Sequence, residues 1–284
     1  MSTLGMITFI SDTGWGGGYA AVLEAIVARL HPETRVFHIT HEVPVGDVAA
    51  GALTLGRIAP LYPPAVHVAI VDPGVGTTRR PVTLSAGRGD FLVGPDNGVL
   101  LSAAYALGGL RTAWALDPSR VRTKAGLPID KISYTFHGRD VFAPTAALLA
   151  AGDDPEAFAD PVDTSTLVRL PDPVAELSGD GAVSEVIEID RFGNVGLALR
   201  FEALAGQPGE YTVEVVGEDL PEWRARAVNT YGDLRPGELG VYCDSWGHVA
   251  LALNSASAAQ LLSIERGTKV RLTARPPSLT DSST

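Results

Sequence analysis

The chain of 284 residues contains one cysteine, Cys243, so no disulfide can close within it and a thiolate zinc centre is excluded for a single chain. Its place in Val241-Tyr242-Cys243 reads as strand packing. Basic residues are scarce: 22 Lys and Arg stand against 33 Asp and Glu, a net charge of −11, with no Lys/Arg run. Nucleic-acid binding rests on basic surface that neutralises phosphates, so that class is disfavoured. No uninterrupted apolar run reaches 18 residues, and no membrane span or membrane partner is expected. The first basic residue is Arg29, so no charged segment precedes an apolar one and no signal peptide is read; the expectation is a cytoplasmic protein.

Several chemical motifs are absent too. Gly14-Trp15-Gly16-Gly17-Gly18 lies between a strand and a helix, the setting of a dinucleotide loop. The G-x-G-x-x-G spacing fails at Tyr19, and no acidic residue closes the second strand to hold a ribose. No Gly-Lys-Ser/Thr loop and no G-x-S-x-G elbow occurs. His31, His38, His41, His67 and His248 show no metal-ligand spacing, and no metal is expected. His38 and His41, in or beside one strand, read as structural.

What the chain does have is an apolar content of 45%, enough for a sizeable core, with 31 Gly and 20 Pro to make turns. Strands are predicted at 6–11, 35–40, 65–71, 81–86 and 91–94, and helices at 19–30, 47–59, 98–107 and 139–151. This alternation predicts an α/β domain over residues 1–168 with a largely parallel sheet. A Pro/Gly/Asp-rich linker is expected over 169–181. Short segments of period two follow, and residues 182–284 read as an all-β, barrel-like domain with a frayed tail from Pro276.

Four clusters carry candidate chemistry. Asp12, at the end of the first strand, can hold a ribose diol or cap its own loop. Asp72 ends the most apolar strand, where ligands bind in open α/β sheets, and Arg79 lies seven residues on. The two can form a catalytic pair or an ion pair at the base of a turn. His137, beside Gly138 at a helix start, can be a general base, an orienting group or structural. Asp190, Phe192 and Asn194 offer a carboxylate, a ring face and an amide, which grip a base-like ring or simply build a β-turn.

In this order, Ser11-Asp12-x-Gly14, Asp72-Pro73-Gly74-Val75-Gly76-Thr77 with Arg79, Val93-Gly94-Pro95-Asp96-Asn97-Gly98, Thr135-Phe136-His137-Gly138-Arg139-Asp140, Phe192-Gly193-Asn194 and Asp244-Ser245-x-Gly247 resemble the S-adenosyl-L-methionine hydroxide adenosyltransferases, relatives of the fluorinases and chlorinases. The motifs span about residues 6–255. The resemblance implies an α/β domain followed by a barrel-like domain, and a homotrimer with sites at subunit interfaces. It implies water attack on the 5′ carbon of S-adenosyl-L-methionine, giving adenosine and L-methionine, with no cofactor. Asp72, Arg79 and His137 then form the water-handling set, Asp12 holds the ribose, and Phe136 lines the nucleophile pocket. Asp190 binds the methionine amino group, Asn194 the adenine edge, and Phe192 and Tyr231 the ring faces. Ser245 meets the methionine carboxylate, Ser255 the adenine, and Gly138 stands where the fluorinase has a serine donor.

The chain departs from the halogenating relatives at Gly46, aligned with a Trp, and at Trp246, aligned with an Arg. The stretch from Ala86 to Val93 has no room for the long fluorinase insertion. A chlorinase and a non-catalytic S-adenosylmethionine or adenosine binder are the alternative readings. Which of Asp72 and His137 takes the proton from water is open at this level.

Overall fold

The computed structural model describes residues 3–127, 131–179, 181–204 and 209–275; the tail expected to fray lies outside them. The chain divides into two compact units, Met1–Leu170 and Pro171–Thr284.

In the first unit the strands are β1 (Met6–Ser11), β2 (Arg35–Thr40), β3 (Val66–Ile70), β4 (Pro81–Ala86), β5 (Phe91–Pro95), β6 (Leu110–Leu116) and β7 (Ala159–Val162). The helices are α1 (Tyr19–Leu30), α2 (Val48–Ile58), α3 (Leu101–Ala106), α4 (Pro118–Ala125) and α5 (Ala143–Ala150). One sheet holds all seven strands in the order β2-β1-β3-β5-β4-β6-β7. The expected parallel pairing runs through β2-β1-β3-β5. From β5 through β4 and β6 to β7 it is antiparallel, so the sheet is mixed. The turn at Gly87–Asp90 makes β4 and β5 a hairpin, and a hairpin can only pair antiparallel.

Every residue of β1 is buried, as a strand covered on both faces requires. Its alternation divides the core. Ile7 and Phe9 pack with Leu23, Val27 and Phe142, whereas Ile10 packs with Leu55, Val71 and Leu100. Asp47 caps α2 by accepting from Ala50 N–H at 2.9 Å, as its position in the sequence predicts.

In the second unit the strands are β8 (Ala175–Ser178), β9 (Gly181–Ile189), β10 (Val195–Arg200), β11 (Glu210–Val215), β12 (Trp223–Ala227), β13 (Leu239–Cys243), β14 (His248–Leu253) and β15 (Lys269–Arg275), with α6 at Ala258–Leu262. The order β10-β14-β13-β12-β11-β15-β9 returns to β10, a closed seven-stranded barrel; β8 adds outside β9. Its pairings are antiparallel except β12 with β13. Inward positions alternate with outward ones, and Val186, Leu197, Val213, Val241, Leu251 and Leu272 fill the interior. Because β8 pairs with β9, part of the stretch read as a linker is ordered strand. Among the described residues no helix is long and apolar enough to cross a membrane.

Candidate active site

Asp72 lies two residues beyond β3, and Asp12 one residue beyond β1. The two strands are parallel neighbours with Ser11 paired to Ile70, so both carboxylates leave the same edge of the sheet. The loop after Asp72 folds tightly: its carbonyl accepts from Val75 N–H at 3.2 Å, and Gly74 C=O accepts from the Thr77 hydroxyl at 2.6 Å. Gly76 has φ +77°, and a Cβ there would stand 2.5 Å from the Tyr134 carbonyl oxygen. Only glycine lets this loop meet the segment before His137.

The turn returns Arg79 to Asp72. Arg79 Nε donates to Asp72 Oδ1 at 2.9 Å and Nη2 donates to Oδ2, a bidentate pair with both side chains largely buried. The guanidinium carbon lies 5.4 Å from the centre of the Phe142 ring. Nη2 also donates to His137 Nδ1 at 2.9 Å. Arg can only donate, so Nδ1 is the acceptor and the neutral imidazole carries its hydrogen on Nε2, a tautomer assigned from the bonding pattern. Burial pushes His137 below its usual pKa, and the Arg79 charge adds to this; Asp72 and Asp140 pull the other way.

His137 opens a π-helical turn, Gly138–Phe142, before α5. Single π-helical turns of this kind recur at functional sites. Asp140, 1% exposed, binds Arg139 and accepts from Ser133 N–H at 2.7 Å, which fixes the loop behind His137. Phe136 packs edge-on against Tyr19 at 5.1 Å. A Cβ on Gly138 would approach Ile70, Leu23 and Phe136 at 3.2–3.4 Å, so the turn packs tightly against the core. Asp12 Oδ2 accepts from Gly46 N–H at 2.8 Å.

In the second unit, Asp190 organises a turn. Oδ1 accepts from the Phe192 and Asn194 amides at 2.8 and 2.9 Å, and Oδ2 accepts from Asn194 Nδ2 at 2.8 Å. Gly193 has φ +82°, and a Cβ would fall 2.0 Å from Ser257 Oγ. Phe192 is left 78% exposed. Two cavities share Asp190, Asn194 and Tyr231. One, of about 610 Å³, adds Phe192, Leu253, Asn254 and Ser255. The other, of about 360 Å³, adds Glu188, Tyr242, Asp244, Ser245 and Trp246. Ser255 holds φ +67°, an uncommon conformation for a side-chain-bearing residue, and its hydroxyl donates to Asn254 Oδ1 at 2.9 Å.

The sequence-predicted residues therefore fall into two groups: Asp72, Arg79 and His137 meet in the first unit, and Asp190, Phe192, Asn194, Tyr231, Ser245 and Ser255 line cavities in the second. Cys243 is a correction: it ends β13 exposed, at the wall of the smaller cavity, rather than packed. Three contributors were missed. Asn97 Nδ2 donates to Val71 C=O at 2.9 Å and anchors the residue before Asp72. Tyr242 accepts from the Tyr231 hydroxyl at 3.1 Å, and burial raises its pKa. Thr230 caps the turn that presents Tyr231. A Thr-x-x-Asp capping box over Thr230–Asp233 was the readable signal for the last. Among the described residues no cluster of His, Cys, Asp or Glu could hold a metal ion.

Comparison with known proteins adds the family. Residues 7–159 match the model of the SAM hydroxide adenosyltransferase N-terminal domain, and residues 184–271 that of its C-terminal domain. The chain is 48% identical over 269 residues to an (R)-S-adenosyl-L-methionine hydrolase of Salinispora tropica, covering 94% of this chain and 97% of that one. It is 26% identical over 298 residues to a fluorinase of Actinopolyspora mzabensis, covering 94% and 97%. It also superposes on a crystal structure of an uncharacterised conserved protein from Thermotoga maritima with a TM-score of 0.82 and 31% identity, covering 94% and 100%.

Proposed function

Because this chain belongs to the S-adenosyl-L-methionine hydroxide adenosyltransferase family, we propose that it hydrolyses S-adenosyl-L-methionine at the ribose 5′ carbon, giving adenosine and L-methionine. The observation that carries this reading is the Asp72–Arg79–His137 constellation, a carboxylate and a neutral imidazole bridged by one guanidinium. A sulfonium is already a good leaving group, so no acid is needed to expel it. The task left is to present an aligned, partly dehydrated water to the 5′ carbon.

The tautomer supports a division of roles. His137 offers Nε2–H, a donor, so it orients the water oxygen. Asp72 accepts the water proton as the oxygen–carbon bond forms. The carbon–sulfur bond breaks with its electron pair on sulfur, and methionine leaves as a neutral thioether. Attack makes the water oxygen steadily more acidic, so a carboxylate tied to an arginine is base enough. The step draws on no cofactor or metal.

Asp12 holds the ribose diol, Phe136 walls the water pocket, and Gly138 lets the turn behind that wall pack closely on Ile70 and Leu23. Phe192 and Tyr231 sandwich adenine, while Asn194 and the Ser255 backbone read its edge. Asp190 takes the methionine amino group and Ser245 its carboxylate. The shared wall of the two cavities, Asp190, Asn194 and Tyr231, suits a ligand with a flat ring at one end and a charged tail at the other. We place the site at subunit interfaces of a homotrimer, because the water-handling groups lie in one unit and the ring-binding cavities in the other. A cytoplasmic location goes with this reading.

Water is favoured over chloride. Asp72 beside the nucleophile repels an anion by about 4 kcal/mol at 4 Å and an effective dielectric near 20, which Arg79 offsets only in part. The hydrolase relative also matches at much higher identity than the fluorinase. The test is mass spectrometry of the product formed in ¹⁸O-water with excess chloride, using each sulfonium epimer, since the relative's name specifies (R). Labelled adenosine is expected. A dominant 5′-chloro-5′-deoxyadenosine, unlabelled adenosine, or binding without turnover would overturn the reading.

A further inference from the structure

A second chain of titratable side chains lies apart from Asp72 and ends beside Asp12. Ser11, 1% exposed, places its Oγ 2.6 Å from His41 Nδ1 and 2.8 Å from Thr13 Oγ1. His41 is fully buried, and its other ring nitrogen, Nε2, lies 2.7 Å from His38 Nδ1. His38 reaches the surface, with Nε2 3.9 Å from the Glu24 carboxylate on α1. The Trp15 ring meets His41 edge-on at 4.6 Å and His38 at 5.7 Å, and the Phe9 ring stacks on His38 at 5.9 Å.

The backbone repeats the connection. Gly14 N–H donates to His41 C=O at 2.8 Å, Val43 N–H to Ser11 C=O at 3.2 Å, and Trp15 N–H to Glu42 at 3.2 Å. The two residues flanking Asp12, Ser11 and Thr13, are thus tied to the histidine pair, and Asp12 itself is held by Gly46.

We infer that His38 and His41 are positioning residues, a hydrogen-bond relay from Glu24 at the surface to Ser11 that sets the loop bearing Asp12 and links substrate affinity to the protonation of His38. The relay has two directions. With His38 neutral and accepting at Nδ1, His41 donates from Nε2 and accepts at Nδ1 from the Ser11 hydroxyl. With His38 protonated, its Nδ1–H donates inward. His41 must then accept at Nε2 and donate from Nδ1, which turns the Ser11 hydroxyl toward Thr13. His41 stays neutral in both states, as its burial demands, and passes on the change without holding the charge. The charged groups facing the pair are Glu24 from α1 and Glu42 from the chain after β2. Asp12 lies beyond Ser11.

The link to affinity rests on Asp12 holding the substrate ribose, so two measurements are needed. The first is Trp15 emission against pH in the free protein, isolated by subtracting the Trp15→Phe spectrum. A protonated imidazole against the indole quenches it, so emission should fall on acidification, and His38→Gln should abolish that fall. The second is the pH profile of KM and kcat. KM should rise about fivefold on acidification in the wild type, a usual size for coupling between sites. That rise should vanish in His38→Gln, with kcat within about twofold. His38 is partly exposed, so its replacement leaves the core intact, whereas His41→Ala opens a cavity. An unchanged Trp15 titration in His38→Gln, or a loss confined to kcat, would overturn the relay. A wild type that keeps the His38-dependent titration but never turns over S-adenosyl-L-methionine counts against the hydrolase reading and leaves the relay standing.

Discussion

Nη2 of Arg79 donates to Nδ1 of His137 across 2.9 Å, so the charge that pairs with Asp72 also dictates which imidazole nitrogen carries hydrogen. A donor at Nε2 is what the water needs. His137→Gln retains an N–H donor near the Nε2 position and should keep part of the turnover. His137→Ala should lower kcat by up to about tenfold, the loss of one hydrogen bond to the attacking water, with KM nearly unchanged. Asp72→Asn removes the proton acceptor and should lower kcat by about 10² or more. Steady-state kinetics on the three variants checks this. Equal losses in His137→Gln and His137→Ala would refute the donor role.

The assembly reading makes a genetic-style prediction. Asp72→Ala and Asn194→Ala chains, each inactive alone, should regain activity when mixed, because some sites then combine an intact first unit with an intact second unit. Activity of the mixture is the readout, with light scattering to measure the mass. A fully active monomer at the chain mass of 29.7 kDa would exclude shared sites.

Gly193→Ala should be among the most damaging single-methyl changes in the second unit. The added carbon collides with Ser257 Oγ, and φ +82° is strained for any other residue. Strain of this kind costs about 1–3 kcal/mol, and the displaced turn should raise KM while kcat falls less. Thermal unfolding and kinetics test both halves.

Burial holds His41 down from 6.5 to about 4. Below pH 6.5 the unfolded chain takes up a proton that the folded protein refuses, so stability falls as pH drops from 6.5 toward 4 and then levels off. The full swing is roughly 3 kcal/mol for one such group. His137 contributes in the same direction. Denaturant midpoints against pH should show this slope, and His41→Asn should flatten it despite a lower starting stability.

Most elements were legible because their apolar spacing is strong: MITFIS is buried along its whole length, and Tyr19–Leu30 is a helix throughout. Two of the misses, α4 and β12, share a cause. α4 has full punctuation, with Asp117 as cap, Pro118 in its first turn and Gly126 at its end, but buries only Val121. No apolar stripe announces it. β12 reads Trp-Arg-Ala-Arg-Ala, and its arginines mask a strand whose inward residues are Trp223, Ala225 and Ala227. Site chemistry was legible where side chains are close in sequence, as in Asp72 with Arg79. The third member, His137, joins them across 58 residues. Cys243 went astray because a strand's final residue leaves the interior even when its neighbours do not.

The barrel's ring closes through β15, which lies between β11 and β9. β9 begins at Gly181 and β15 ends at Arg275, so its first strand waits for its last before both its edges are paired. During synthesis the first unit has all its strands by Val162 and can fold early. The second exposes open strand edges until almost its entire length has emerged, and that interval is when it is most open to mispairing with another nascent copy.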